Sequence, residues 1–387
     1  MNALPASFVH RSAATRLVLR EGAIDDLRAE LATLGIGKPL LIAGGHTQRS
    51  AMFDSVLTAL GDLPHVRSEP VPAHSNVDLV ERLAARAAAD GIDGFVAVGG
   101  GSASDTAKAV ALLMAEGGRL AEHAVRFTPP STLVAPRLAA PKLPIVSIPG
   151  TASGAEVTAS LGVRDADGAK LLFTDIQLAA RLVLIDPRAN LEVPAALMCA
   201  TGMNGLAHCI EGLYSLERSP LAETLALDAM ARFVTALPAI HRAPLDVAAR
   251  AEVLYAAHLS GLVLVNARTC LHHAICHAIG SVTGVGHGAA NAVMLAHAIA
   301  FNASAAAQPL ARAAVVLGAG HDVDALVRAV NALQTAIDVP TRLRDIGVPR
   351  DSLDRIAAKS MRERGLYYNP RRVEGAHEIH ALLNAAY

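Results

Sequence analysis

The feature that most constrains the fold is a change in hydrophobic pattern close to Asp186-Pro187. Before this point, short β-rich runs alternate with segments of helical length, and examples of such runs are 39–45, 93–98 and 143–148. After it, the strand-like runs stop and long Ala/Leu-rich segments at helical spacing follow one another. Alternation of this kind indicates a parallel sheet covered by helices. The sequence therefore predicts an α/β domain over 1–190 and an all-helical domain over 191–387.

Composition excludes several classes of function. With 34 Lys and Arg against 35 Asp and Glu, the chain has a formal net charge of −1, and its charges form no basic stretch. Aromatic residues make up only 3% of the chain, so the stacking platforms of single-strand binders are missing. A nucleic-acid partner is therefore not expected.

The chain also has the character of a cytoplasmic protein. Its four cysteines (Cys199, Cys209, Cys270 and Cys276) are scattered and form no CxxC pair, which is typical of reduced thiols. The first 22 residues lack the continuous apolar run of a signal peptide or anchor. The apolar stretch near 271–302 carries five histidines, which would be costly in lipid. No membrane association is expected.

A glycine-rich turn follows the predicted strand at 93–98. Gly99, Gly100 and Gly101 stand between this strand and a predicted helix, where backbone N–H groups and the helix dipole can receive phosphate. Ser102 and Asp105 have the spacing of a capping box for that helix. The alternative is a tight turn with an ordinary cap. The pattern is neither GxGxxG nor GxxxxGK[ST], so the usual Rossmann and Walker motifs do not apply.

A second turn, PGTASGAE at 149–156, follows the strand predicted at 143–148. Together the two turns could hold the pyrophosphate and a ribose of a dinucleotide, through groups such as Thr151 and Ser153, or they could be simple crossover loops. Lysine is scarce, and Lys170 is assigned to a phosphate or a substrate anion, with a solvated loop lysine as the alternative.

Polar residues in the helical half form pairs at helical spacing. Asn204 and His208 are four residues apart, as are His273 and His277, and His287 precedes Gly288. This spacing places each pair on one helix face. Three imidazoles with an amide or carboxylate would suit a divalent transition metal with an open position for substrate. HExxH is absent, so a zincin peptidase is disfavoured.

Taken together, these motifs resemble those of the iron-containing (group III) alcohol dehydrogenases, relatives of glycerol dehydrogenase and dehydroquinate synthase. The family motif GGGSxxDxAK is present at 99–108, HxxxHxxxxxxxxxHG at 273–288 and NPR at 369–371. The resemblance runs from about residue 10 to the end. It implies NADH or NADPH bound by an α/β dinucleotide-binding domain, an active site in the cleft between this domain and the helical domain, and a homodimer.

The resemblance also implies a site for Fe(II) or Zn(II) formed by Asn204, His208, His273 and His287. The family normally has aspartate at the first of these positions, and an amide is a weaker, uncharged ligand. This departure is similar to the maleylacetate reductase branch, which works without a required metal, and so are the segments 202–214 and 271–277. By contrast, 287–291 is similar to the metal enzymes, and the insertion at 119–143 is longer than that branch carries.

Three hypotheses follow for the function. The first is an NAD(P)H-dependent reductase of a small carbonyl or enoyl-carboxylate, with His277 as proton donor and His273, His208 and Lys170 beside it. The second is an iron- or zinc-dependent alcohol dehydrogenase. The third is a non-redox nucleotide-binding protein or lyase. Because Gly44-Gly45-His46 replaces the acid that often holds the ribose hydroxyls of NAD, NADPH is an open alternative.

Overall fold

The computed structural model describes residues 7–387 and confirms the predicted fold class. A parallel sheet with helices on both faces forms the first half, and helices alone form the second. The last strand of the sheet ends at Ile185 and the first long helix begins at Ala195, so the proposed boundary near residue 190 lies in the connection. Residues 1–6, at the start of the N-terminal segment discussed above, lie outside the described part.

Six strands form the parallel sheet: β1 Arg16–Leu19, β2 Pro39–Ala43, β3 Val66–Arg67, β4 Gly94–Gly99, β7 Ile145–Pro149 and β10 Leu182–Ile185. Their order in the sheet is β1-β10-β7-β4-β2-β3. Four helices cover the sheet: α1 Leu27–Thr33, α2 Ala51–Leu60, α3 Val77–Ala89 and α4 Gly101–Glu116. Strands β2 and β7 are buried throughout because apolar layers lie on both faces of the sheet.

The strand order reverses between β2 and β4. From β2 the chain moves outward to β3, then returns past β2 to β4 and continues to β7 and β10. In open α/β sheets, ligands bind at the carboxyl ends of the strands at such a reversal. The loops after β2 and β4 are therefore placed to receive a ligand.

Two short antiparallel hairpins extend from the sheet. The first joins β5 Arg126–Thr128 to β6 Thr132–Val134, inside the insertion at 119–143, and the second joins β8 Ser160–Arg164 to β9 Lys170–Thr174. Three-residue strands with exposed side chains leave too short an alternation to be recognised in the sequence. A buried Lys142 ammonium pairs with Glu116 and Asp175 and ties the end of this insertion to the domain.

The second half contains nine helices among the described residues. They are α5 Ala195–Tyr214, α6 Pro220–Arg242, α7 Val247–Ala267, α8 Leu271–Thr283, α9 His287–Asn302, α10 Ala307–Val316, α11 Val323–Ala336, α12 Leu353–Ser360 and α13 Ala376–Ala385. Helix α5 is buried along most of its length, against α6, α7 and α9. Its functional side chains therefore lie inside the protein.

Within residues 7–387, only α7 is long and apolar enough to cross a membrane by length and composition. In its most apolar 18-residue window, 61% of the residues are buried inside the molecule. The apolar character of α7 is thus explained by its packing between α5 and α6.

A buried arginine ties the two halves together. The Arg250 guanidinium, 1% exposed, donates to the backbone and side-chain oxygens of Asn190 and to the carbonyl of Pro244. We expect Arg250→Met to keep most of the volume but leave the Asn190 side-chain oxygen and the Pro244 carbonyl without their donor, lowering the free energy of unfolding by about 2 kcal/mol. Urea unfolding against the exposed control Arg328→Met tests this, and equal midpoints for the two variants would contradict it.

Candidate active site

Three loops meet at the carboxyl edge of the sheet, after β2, β4 and β7. The Gly150 N–H donates to the Gly99 carbonyl at 2.8 Å, which joins the two glycine turns directly. Gly99 has φ +115°, and a Cβ there would lie 2.9 Å from Thr47 Oγ1. A Cβ on Gly150 would lie 3.1 Å from the Gly99 Cα. Glycine is needed at position 99 because of its positive φ, and at position 150 because the backbone of Gly99 lies so close.

The capping box predicted for α4 is wrong. Gly100 is the N-cap, and no side chain of the described residues caps this helix end. Instead, the Ser102 hydroxyl donates to the Ala73 carbonyl at 2.5 Å, and the Asp105 carboxylate accepts the Gly162 N–H at 3.2 Å. These side chains hold the flanking loops. The first N–H groups of α4 consequently stay available for an anion, such as a nucleotide phosphate.

The second turn leans against the helical half. The Ala152 N–H donates to Thr201 Oγ1 of α5 at 3.1 Å. Gly154 has φ +65°, and a Cβ there would lie 2.5 Å from the Ala257 carbonyl of α7. Thr151 and Ser153 also lie close to the glycine turn. A Cβ on Gly100 would lie 3.3 Å from Thr151 Oγ1, and a Cβ on Gly101 would lie 3.6 Å from Ser153 Oγ. Both hydroxyls are thereby held between the glycine turn and α5.

Lysines 108 and 170 have different surroundings. Lys108 is buried, and its ammonium donates to the Ala155 carbonyl and Thr158 Oγ1, so it supports the second turn from behind. Lys170 pairs with Arg164 across the β8–β9 hairpin. Burial, the charge of His277 and then that of Lys170 lower the pKa of His287. Lys170 therefore lies near enough to His287 for its charge to act on that ring.

The structure brings the predicted histidines together from α5, α8 and α9. The rings of His208 and His273 stack with centroids 4.7 Å apart, and those of His277 and His287 stack at 5.4 Å. The His273 ring links the two stacks, because its centroid also lies 6.1 Å from that of His277 and 5.9 Å from that of His287. Burial lowers the pKa of His208 to about 3 and that of His273 well below its usual value, so both rings are neutral.

Sequence reasoning missed the carboxylate behind this cluster. Glu211 Oε2 lies 2.6 Å from His273 Nδ1, while Asn204 Oδ1 lies 3.1 Å from Nε2 of the same ring. Glu211 is fully buried, and its Oε1 accepts the His272 N–H. Asn204, His208 and Glu211 recur at i, i+4 and i+7 along α5, which is a helical periodicity that could have revealed the carboxylate.

A second carboxylate meets His277. Glu363 Oε2 is 3.4 Å from His277 Nδ1, and both side chains are about a quarter exposed. Burial raises the pKa of Glu363, but the hydrogen bond and the charge of His277, together with the charges of Lys170 and Lys359, outweigh it, so that the net shift is downward. Glu363 comes from the segment between α12 and α13, and no spacing in the sequence connects it to the histidines.

The donors form a weaker site for divalent iron or zinc than a set that contains a carboxylate. Asn204, His208, His273 and His287 form an uncharged set, and the Asn204 amide already lies against His273 Nε2. Among the described residues, one group of three His, Cys, Asp or Glu side chains brings its ligand atoms within 4.8 Å of one another. It consists of Glu211, His272 and His273. This group shares only His273 with the expected set, and its atoms are engaged in hydrogen bonds.

Two family models match the chain. Residues 14–187 match the iron-containing alcohol dehydrogenase model, and residues 198–387 match the C-terminal model of the Fe-containing alcohol dehydrogenase family. The two matches together cover both halves of the fold and meet at the connection between them.

Relatives match over almost the whole length. The chain is 30% identical over 381 residues to a maleylacetate reductase from Pseudomonas sp. (strain P51), covering 98% of each chain. It is 29% identical to a 4-hydroxybutyrate dehydrogenase from Cupriavidus necator, covering 94% of this chain and 96% of the relative. A crystal structure of maleylacetate reductase from Agrobacterium tumefaciens superposes with a TM-score of 0.84 at 28% identity, covering 99% of both chains. The chain thus belongs to the iron-containing alcohol dehydrogenase family, on its maleylacetate reductase-like branch, and is an oxidoreductase.

Proposed function

We propose that this protein is an NAD(P)H-dependent reductase of a small carbonyl or enoyl compound that carries a carboxylate. One observation carries the proposal. The glycine edge, which is formed by Gly99, Gly100 and Gly101 and has open N–H groups, lies on the same side of the molecule as the imidazole cluster, and the hydrogen bond from Ala152 to Thr201 ties the neighbouring turn to the helix that carries His208. The glycine edge suits the phosphates of a dinucleotide, and the imidazole cluster suits a polar reacting group of the substrate. The proposal also includes a cytoplasmic homodimer.

The substrate class rests on charge and on the relatives. Maleylacetate and 4-hydroxybutyrate, the compounds in the names of two relatives, both carry carboxylates. In this chain, Lys170 and Arg164 face each other across the β8–β9 hairpin at the side of the cleft. These two cations can hold a substrate carboxylate or a cofactor phosphate.

In the proposed mechanism, the residues of the chain bind, orient and supply a proton. The N–H groups at Gly101 and Ser102 would hold the cofactor phosphates, with Thr151 and Ser153 beside its ribose, and Gly99 and Gly100 allow the close approach. The reduced nicotinamide supplies the hydride when it is bound. His277 donates the proton, with Glu363 at its Nδ1 to stabilise the imidazolium. The neutral rings of His208 and His273 form the polar wall of the site.

The experiment that tests this function combines turnover with elemental analysis. Oxidation of NADH and of NADPH is measured with maleylacetate, with the aldehyde of 4-hydroxybutyrate and with simple aldehydes and ketones, before and after a chelator. We expect chelator-resistant reduction of a carboxylate-bearing substrate by protein with far less than one metal ion per chain. Near-stoichiometric metal with chelator-sensitive turnover would establish the alcohol dehydrogenase hypothesis instead. Absence of any cofactor oxidation would favour the non-redox hypothesis.

A single substitution tests the reason for weak metal binding. In Asn204→Asp, a carboxylate faces the His273 nitrogen, which favours a cation between them. We expect this variant to take up about one Zn(II) per chain after dialysis against the metal, with a rise in melting temperature that a chelator reverses. Asn291→Asp, on the neighbouring helix α9, is the matched control. Equal metal content in the wild type and both variants would contradict the explanation.

A further inference from the structure

The β5–β6 hairpin, inside the insertion at 119–143, touches the helical half through an aromatic pair. Five of the six residues in its two strands are exposed, and the exception is Phe127, which is partly buried. The Phe127 ring lies against that of Tyr367, with centroids 5.6 Å apart and planes inclined by 56°. Aromatic rings attract each other in such a geometry. The pair therefore joins the insertion to the segment that follows Glu363.

The base of the hairpin is attached to β9. The Val125 N–H, just before β5, donates to the Leu172 carbonyl at 2.7 Å. Leu172 is two residues from Lys170, which is about 7 Å along an extended strand. Lys170 in turn lies near enough to Glu363 for its charge to lower the pKa of that carboxyl. The hairpin thus starts close to the carboxylate that meets His277.

Tyr367 approaches the same place from the helical half. It belongs to the short 3₁₀ helix Arg364–Tyr368, which begins directly after Glu363. Four residues of a 3₁₀ helix advance by about 8 Å. The Glu363 carboxylate lies 3.4 Å from His277 Nδ1. Tyr367 is therefore only a short step along the chain from the residue that holds the proposed proton donor.

These contacts close into a ring around an opening. The ring runs from the histidine cluster along the 3₁₀ helix to the aromatic pair, and back along β9 to the carboxylate. Its members are His277, Glu363, Tyr367, Phe127, Leu172 and Lys170. The His277 side chain is 28% exposed, so the ring surrounds an entrance and does not seal it.

We propose that Phe127 and Tyr367 form the outer rim of the opening over His277, and that this pair sets the largest substrate that the enzyme accepts. The inference rests on the function proposed above for the reaction itself. Small, unbranched carbonyl or enoyl carboxylates pass the rim, whereas compounds with a bulky group at the remote end meet the two rings. Because Phe127 comes from the insertion, the insertion determines this size limit.

A thiol at the proton-donor position measures the opening without catalysis. In His277→Cys, alkylation of this thiol is followed with N-ethylmaleimide and with a pyrene-bearing maleimide, each corrected for its rate with a free thiol. The four native cysteines are buried. We expect the pyrene reagent to react at least about 10-fold more slowly than N-ethylmaleimide, the scale on which a closed pocket discriminates by size. Adding Phe127→Ala should bring the two rates together.

Substrate selectivity is the second measurement. The value of kcat/KM is determined for the best carboxylate-bearing substrate and for an analogue with a phenyl group at its remote end. In Phe127→Ala and in Tyr367→Ala, we expect the ratio of large to small substrate to rise about 10-fold or more. The double variant should show less than the product of the two effects, because both substitutions open the same rim. Tyr367→Phe keeps the ring and should keep the size limit.

Val134→Ala is the matched control on the same hairpin. Val134 pairs with Arg126, one residue before Phe127, so it lies on the other face of the hairpin, and it is 59% exposed. It should leave the alkylation rates and the substrate ratio as in the parent protein. The same shift in Val134→Ala as in Phe127→Ala would overturn the assignment to the aromatic pair.

The other results are equally decisive. Equal rates for the two maleimides in His277→Cys, or a rate ratio that Phe127→Ala leaves unchanged, would overturn the proposed rim, as would an unchanged substrate ratio in both single variants. A wild-type protein without reductase activity would overturn the proposed function. In that case the alkylation rates would still decide whether the pair borders the opening.

Discussion

Replacing His277 by alanine should lower kcat by about 10²–10⁴-fold while the affinity for NADH or NADPH changes little. His277 meets the Glu363 carboxylate at 3.4 Å and stacks on His287, and its side chain is 28% exposed. A proton donor needs contact both with the substrate and with a source of protons, and a part-exposed ring beside a carboxylate has such a source. The glycine edge that would hold the cofactor lies on the opposite domain and should keep its shape.

The measurement is steady-state reduction together with a fluorescence titration of the reduced cofactor. His321→Ala is the control, because His321 is exposed and lies in the turn between α10 and α11. Near-normal turnover in His277→Ala would disprove the proposed proton donor. A parallel loss of cofactor affinity would instead place His277 in binding.

Replacing Gly154 by alanine should destabilise the protein by about 2–5 kcal/mol and weaken cofactor binding. About 1–2 kcal/mol of this comes from a side chain at φ +65°, and roughly 1–3 kcal/mol comes from overpacking. The new Cβ would lie 2.5 Å from the Ala257 carbonyl and 2.9 Å from the Gly261 nitrogen. Both contacts are backbone atoms of α7, which cannot rotate away as a side chain could. The second turn must therefore move off α7 and carry Thr151 and Ser153 with it.

Gly168→Ala provides a matched control. Gly168 has φ +79°, but none of the described residues has an atom within 4 Å of its added Cβ, so the variant carries backbone strain without the contact. Denaturant unfolding of the two variants isolates the packing cost, and cofactor titration reports the displacement of the turn. Equal midpoints with equal cofactor affinity would show that the close approach to α7 is unimportant.

The fold class could be predicted because it depends on local patterns. Strands β2, β4 and β7 lie within a few residues of the runs at 39–45, 93–98 and 143–148, since each run is continuously apolar and buried. Strand β1 and helix α1 were not predicted, because four and seven residues are too short to show a period. The β5–β6 hairpin was missed for the same reason.

The active site could be predicted in part. The polar side chains at helical spacing do converge. Within α5 and within α8, residues four apart lie on one helix face, and α9 places its histidine beside them; the residues are Asn204, His208, His273, His277 and His287. The capping role of Ser102 and Asp105 was wrong, since their side chains found partners in the 71–76 loop and the β8–β9 hairpin instead. Ser102 and Asp105 could cap their own helix or bind a neighbouring loop, and the packed loops supplied the hydrogen-bond partners.

By itself, the sequence determined the α/β and helical halves, the two glycine turns and the histidine spacing, because these are properties of consecutive residues. Only the tertiary structure decided which groups became partners. Glu211 meets His273 from 62 positions away, and Glu363 reaches His277 from another segment. Such pairings depend on how helices dock, and docking is governed by apolar packing over the whole core rather than by the polar residues themselves.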